Sequence, residues 1–199
     1  MSETELSPSM KLFVDDVRKI VREGGGEETV TARVAERMQP LLREGDALGA
    51  QYRVPRPGTY ALYPVWVEPG GSFSIAAAVW DVGAGTPVHD HGTWGVIGIV
   101  EGVEREARYL PTLVDGTVKF KQVEERDLAE RRVIVCCTSD RDIHRVRCGS
   151  AVPCVGIHVY GADIGAIERH AYDPDTGDVR TFVSGWTVPQ PDVAASRKG

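Results

Sequence analysis

The sequence predicts a mainly β protein, a sandwich or barrel of short antiparallel strands, with a helical segment in front of it. Three observations lead there. From Tyr52 onward, short stretches rich in Val, Ile, Tyr and Trp are separated by Gly and Pro, the texture of many short strands joined by turns. No helical pattern alternates with them, which disfavours a doubly wound α/β sheet. Ahead of Tyr52 the apolar residues recur instead at helical spacing.

The first helix is expected after Ser7-Pro8-Ser9, a capping sequence. It carries Leu12, Phe13, Val17, Ile20 and Val21 on one face and stops at Gly24-Gly25-Gly26. A second starts near Thr29 or Thr31 and runs through Val34, Met38 and Leu41-Leu42, with a kink expected at Pro40 and a stop at Gly45. The strands are expected at Tyr60–Val67, Phe73–Trp80, His89–Val100, Arg105–Leu110, Val118–Val123, Arg132–Cys137, Cys154–Tyr160 and Val179–Phe182. The implied organisation is a helical segment over 1–50 packed on a barrel over 51–188. Residues 189–199, which include Pro189, Pro191 and Arg197-Lys198-Gly199, are expected to form a flexible tail.

At 199 residues the chain suits one core and is long enough to bury roughly two thirds of its unfolded surface. Its 42% hydrophobic and 26% charged residues are ordinary globular values. The net charge of -6 opposes a phosphate backbone, so no nucleic-acid partner is expected. No apolar run approaches the roughly 18 residues of a membrane span and the N-terminus is acidic. A cytoplasmic protein without a membrane partner, monomer or small homo-oligomer, is the expectation. Cys136, Cys137, Cys148 and Cys154 lack the paired spacing of a zinc ribbon and are read as buried free thiols, a zinc site among them being the alternative.

Two of the five histidines stand one residue apart in Pro87-Val88-His89-Asp90-His91-Gly92-Thr93-Trp94-Gly95. On a strand that spacing sends both imidazoles to one face and Asp90 to the other, so His89 and His91 are candidate metal ligands. Asp90 is given a supporting role.

The wider pattern, Gly83, His89, His91, Gly95 and Gly102, resembles the first motif of the cupin superfamily. The resemblance implies a cupin double-stranded β-helix, a jelly-roll barrel. Where most cupins place a glutamate ligand, this chain has Gly95 or Val96, and the third ligand is sought at His144, about fifty residues on. Neutral imidazoles leave a divalent metal its full charge and favour anionic exogenous ligands such as a thiolate.

The ordered set His89 to Gly95, Asp142-Ile143-His144-Arg145-Val146 and Ile157-His158-Val159-Tyr160-Gly161-Ala162-Asp163-Ile164-Gly165 resembles the thiol dioxygenases. Within them it is closer to the bacterial 3-mercaptopropionate dioxygenases than to the animal cysteine dioxygenases. The likeness continues through Arg169, Tyr172-Asp173, Gly177 and Phe182-Val183-Ser184-Gly185-Trp186. It implies Fe(2+) held by His89, His91 and His144, with a small carboxylated thiol and O2 as substrates and a sulfinate as product. It also implies catalytic roles for Tyr160, whose hydroxyl is directed at the reactants, and for His158, which holds that hydroxyl. Arg169, eleven residues past His158, together with Tyr160, is implied as substrate-binding.

Simpler readings stand beside these: a core tyrosine for Tyr160, and a surface ion-pair partner of Glu168 or Asp173 for Arg169. The chain departs from the family where Gly156 stands in place of a serine. A gap beside His158 is expected there, to be filled by water, a neighbouring side chain or a bulkier substrate. Neither Gly95 nor Val96 can form the Cys-Tyr crosslink of animal enzymes. A cupin dioxygenase acting on another substrate, and a metal-binding cupin without activity, are the alternative functions.

Overall fold

The computed structural model describes residues 6–138 and 142–189. The acidic start, residues 139–141 and nearly all of the expected flexible tail lie outside the described residues. Two helices lead, α1 (Pro8–Glu23) and α2 (Glu27–Leu41). The Ser7 hydroxyl accepts from the Met10 N–H at 3.2 Å and caps α1, with Pro8 in the first turn. The second helix begins at Glu27, ahead of the expected Thr29 or Thr31, because Glu27 and Glu28 are well placed beside its N-terminal dipole. Pro40 sits in its last turn, where the chain is already leaving the helix.

Among the described residues eleven strands follow: β1 (Tyr60–Val67), β2 (Ser74–Trp80), β3 (Val88–His89), β4 (Gly95–Glu101), β5 (Val103–Val114), β6 (Thr117–Ala129), β7 (Val133–Cys137), β8 (His144–Cys148), β9 (Cys154–Tyr160), β10 (Arg169–Tyr172) and β11 (Val179–Phe182). They form two antiparallel sheets, β1-β2-β9-β4-β7 and β11-β10-β3-β8-β5-β6. Two such sheets with long crossings between them make a jelly-roll sandwich, the architecture on which cupins are built. The mainly β fold with helices in front is as the sequence predicts.

One expected strand is corrected. His89 to Val100 is two strands in different sheets, β3 ending at His89 and β4 starting at Gly95. Between them the chain turns at Gly92, whose φ of 63° suits a residue without a Cβ.

The five-stranded sheet is covered on both faces, which the period of two in its strands makes visible. On β9, Val155, Ile157 and Val159 join Phe13, Val17, Val34 and Met38 of the helices in one apolar core. The alternate residues point between the sheets. On β2, Ala76, Ala78 and Trp80 likewise line a second cluster with Leu62, Val146 and Ile164. The helical pair therefore seals the outer face and leaves the inner face free for polar side chains.

Met38 is fully buried in the outer core. Met38→Ala is expected to destabilise the protein by about 2–5 kcal/mol, read as a lower urea midpoint with an unchanged denaturant slope.

Candidate metal centre

His89 on β3 and His144 on β8 are directly opposed in register, and His91 comes in from the loop two residues beyond His89. Their ring centroids are 4.7 to 5.0 Å apart, and one ring nitrogen from each lies within 4.8 Å of the others. The two histidines of the opening motif thus converge, although His91 is on a turn rather than on the strand that their spacing predicted. Asp142 holds that turn, its carboxylate accepting from the backbone N–H groups of His91 at 2.9 Å and Gly92 at 2.8 Å. Asp90 faces away, as its alternation predicted. It accepts from the Tyr172 hydroxyl at 2.6 Å, His170 N at 2.7 Å and His170 Nδ1 at 2.9 Å, tying the turn to β10.

Each ring has its outer nitrogen accounted for. His89 Nδ1 lies 3.0 Å from the Pro87 carbonyl, which only accepts, so the hydrogen is on Nδ1. His144 Nδ1 meets the Glu106 carboxylate at 2.8 Å. Cys137 donates its thiol hydrogen to Thr93 O, leaving its sulfur, 3.2 Å from His91 Nδ1, to accept from that ring. Three Nε2 lone pairs therefore turn inward, and those of His91 and His144 face each other at 3.3 Å. Lone pairs placed so closely repel unless a cation lies among them, so the donor set fits a divalent metal.

Burial is the main cause that drives His89 and His91 well below the ordinary histidine range, with neighbouring imidazoles and Arg169 adding to it. Both are neutral at neutral pH, the form a metal requires. Burial would raise the Glu106 carboxyl, but hydrogen bonds from His144 and Arg126 outweigh it and hold it below its usual value. Glu106 is 1% exposed and orients His144 while Arg126 compensates its charge at 2.7 Å.

Beyond the histidines, β9 contributes His158 and Tyr160 on its inner face, His158 Nδ1 lying 3.0 Å from the Tyr160 hydroxyl. The Tyr160 ring centroid is 5.1 Å from that of His91. Burial raises the tyrosine well above its ordinary pKa, so it remains a phenol. Arg169 enters from β10, 5% exposed, with its guanidinium 4.7 Å from the Phe182 ring centroid and in contact with Ser184 Oγ. A surface ion pair with Glu168 or Asp173 is excluded by that burial. Burial lowers the Arg169 pKa, yet a guanidinium stays charged at neutral pH. All six predicted site residues line one cavity of about 50 Å³, whose walls include Leu62, Trp80, Ile164 and Phe182.

The gap expected at Gly156 is absent. A Cβ there would lie 2.7 Å from His158 Nε2 and 3.5 Å from Glu104 Oε2. A neighbouring side chain, one of the expected fillers, adjoins this place: Glu104 Oε2 is 3.3 Å from His158 Nε2. Glu104, Glu106 and Cys137 join the site without being marked for it by the sequence. Two glutamates at positions 104 and 106 on one strand face were a signal, but acidic residues on a strand ordinarily face water. The zinc alternative finds Cys136 and Cys137 beside His91, while Cys148 and Cys154 pack in the inner cluster with Trp80.

No protein-family model matches the chain. Among solved structures it is similar to the TT1209 protein of Thermus thermophilus, at 20% identity over 56% of this chain and 91% of that one, TM-score 0.42. It is also similar to the cupin_2 domain of an XRE family transcriptional regulator from Enterobacter cloacae, at 16% identity over 51% and 94% of the two chains, TM-score 0.36. A third is an oxalate oxidase in complex with the substrate analogue glycolate, at 13% identity over 58% of this chain and 55% of that one, TM-score 0.41. These are likenesses of strand arrangement. The sheet order and registers of this chain carry the fold assignment.

Because Glu106 orients His144, Glu106→Gln is expected to weaken divalent-metal binding on the order of 10- to 100-fold, read by competition with a chromophoric chelator. Below about pH 6.5, the ordinary histidine value, the unfolded chain takes up protons that the folded His89 and His91 refuse. The melting temperature of the metal-free protein is therefore expected to be steady above that pH and to fall below it, down to the depressed folded values.

Proposed function

We propose that this chain is a non-haem iron(II) thiol dioxygenase that converts a small carboxylated thiol, 3-mercaptopropionate ahead of cysteine, to its sulfinate with O2. The observation that carries the reading is a tyrosine hydroxyl held by a buried histidine at 3.0 Å, in the same cavity as three inward-facing imidazoles and a buried arginine. Fold alone does not require that set.

His89, His91 and His144 would hold the metal. When bound, ferrous iron supplies open coordination positions, lowers the pKa of a thiol and provides the redox chemistry that adds both oxygen atoms to sulfur. The remaining work falls to the chain. Arg169 Nε is buried without a hydrogen-bond partner, so the guanidinium still has a donor to offer a carboxylate. Leu62, Ile164 and Phe182 enclose the short apolar stem of such a substrate and exclude water. Tyr160, kept protonated by burial, fixes the reactants through its hydroxyl, and His158 fixes that hydroxyl.

A metal-dependent cupin dioxygenase with another substrate is the second reading. Gly156 and the crowding by Glu104 favour it, since no hydroxyl adjoins His158 in the place where the family carries one.

The test is anaerobic loading with ferrous iron, then oxygen uptake and sulfinate detection over a panel of thiols with and without a carboxylate. One O2 consumed per sulfinate formed is expected, with carboxylated thiols preferred. Full iron loading and no uptake with any thiol would sink the reading. Arg169→Ala should raise KM for the carboxylated thiol by roughly 10- to 100-fold, the worth of a hydrogen bond to a charged group.

A further inference from the structure

Beneath His158 lies a group that neither the fold nor metal binding explains. Glu104 is completely buried on β5. Its Oε2 lies 3.3 Å from His158 Nε2, its Oε1 has no hydrogen-bond partner, and no arginine or lysine pairs with it among the described contacts. Glu106, two residues on, is by contrast satisfied by both His144 and Arg126. Leu128, the register partner of Glu104 on β6, and Cys148, its register partner on β8, are both buried. A leucine at position 104 would fit those surroundings without leaving a carboxylate oxygen unsatisfied. A purely structural role therefore does not account for the glutamate.

We infer that Glu104 is a positioning residue that holds a hydrogen on His158 Nε2 and so makes Nδ1 the acceptor of the Tyr160 hydroxyl. An ionised carboxylate only accepts, so with Glu104 ionised the ring atom facing it carries the hydrogen. In the neutral ring the other nitrogen then has a free lone pair, and 3.0 Å away is the Tyr160 hydroxyl. Tyr160 spends its hydrogen on His158 and presents oxygen lone pairs to the cavity. Three residues from facing sheets, Glu104 on β5 and His158 and Tyr160 on β9, thus set the polarity of one hydroxyl.

For turnover this rests on the thiol dioxygenase reading. A bound thiol then meets an acceptor: its S–H bond breaks as an O–H bond forms on Tyr160, while the hydrogen that Tyr160 held passes to His158 Nδ1. The imidazolium so formed faces the Glu104 carboxylate. Glu104 touches neither substrate nor metal and acts through His158 alone.

The hydrogen placement is tested without any substrate. In the metal-free full-length protein labelled with ¹⁵N-histidine, the His158 ring signals are assigned by their loss in His158→Gln. The hydrogen is expected on Nε2 in the native protein. It is expected to move to Nδ1 in Glu104→Leu, where no acceptor remains for Nε2–H. It should stay on Nε2 in Tyr160→Phe, because the glutamate rather than the tyrosine sets it. A native hydrogen on Nδ1, an unmoved hydrogen in Glu104→Leu, or a moved one in Tyr160→Phe would each overturn the inference. Should Glu104→Leu not fold, the native and Tyr160→Phe spectra still decide.

With iron and thiol, Glu104→Leu should lower kcat on the order of 10- to 100-fold with KM for the thiol unchanged, and Glu104→Gln, whose amide oxygen still accepts, should restore most of it. An unchanged kcat in Glu104→Leu would remove the role in turnover. If the native protein oxidises no thiol, the functional reading fails by itself and the nitrogen spectra still report on Glu104.

Discussion

Strand β9 is buried along its whole length, and it is buried against two different things. Successive side chains of a strand alternate between faces, so Val155, Ile157 and Val159 are claimed by the helical core. Gly156, His158 and Tyr160 are left for the space between the sheets. Were the helical pair absent, the outward valines and isoleucine would face water and the central strand would lose the packing that holds its register. The site is thus stabilised from behind, by residues that never meet a ligand.

The inner face carries an unusual load of polar groups for a sandwich interior. His89, His91, His144, His158, Glu104, Glu106 and Arg169 are all buried there, and burying such groups is unfavourable unless each finds a partner. Most do. Asp142 accepts two backbone N–H groups and Glu106 takes His144 and Arg126, while Cys137 serves His91. The exceptions at the cavity are Arg169 Nε and Trp80 Nε1, with two Nε2 lone pairs facing each other, and behind His158 the Glu104 Oε1 is unpartnered as well.

Much of this was legible beforehand. The helical pair, most strand positions and the convergence of His89, His91 and His144 could be read from spacing and resemblance, and so could the pairing of His158 with Tyr160, which needs only the two-residue period. The single strand expected from His89 to Val100 was misread because apolar β-formers run on past Gly92, whose positive φ ends β3 and sends the chain to the other sheet. Arg169 was open between surface and site, since one residue number does not say which face of β10 is covered.

The sequence by itself determined what depends on local period and side-chain chemistry: the β class, the helical front, three imidazoles able to bind a metal, and a tyrosine and histidine on one strand face. Only the tertiary structure decided what depends on register between distant strands. Glu104 and His158 are 54 residues apart, and Glu106 and His144 are 38 apart. Cys137 reaches His91 across 46. No local pattern marks a buried glutamate on β5 as different from one in water, because its environment is made by β6, β8 and β9 and not by its neighbours in the chain.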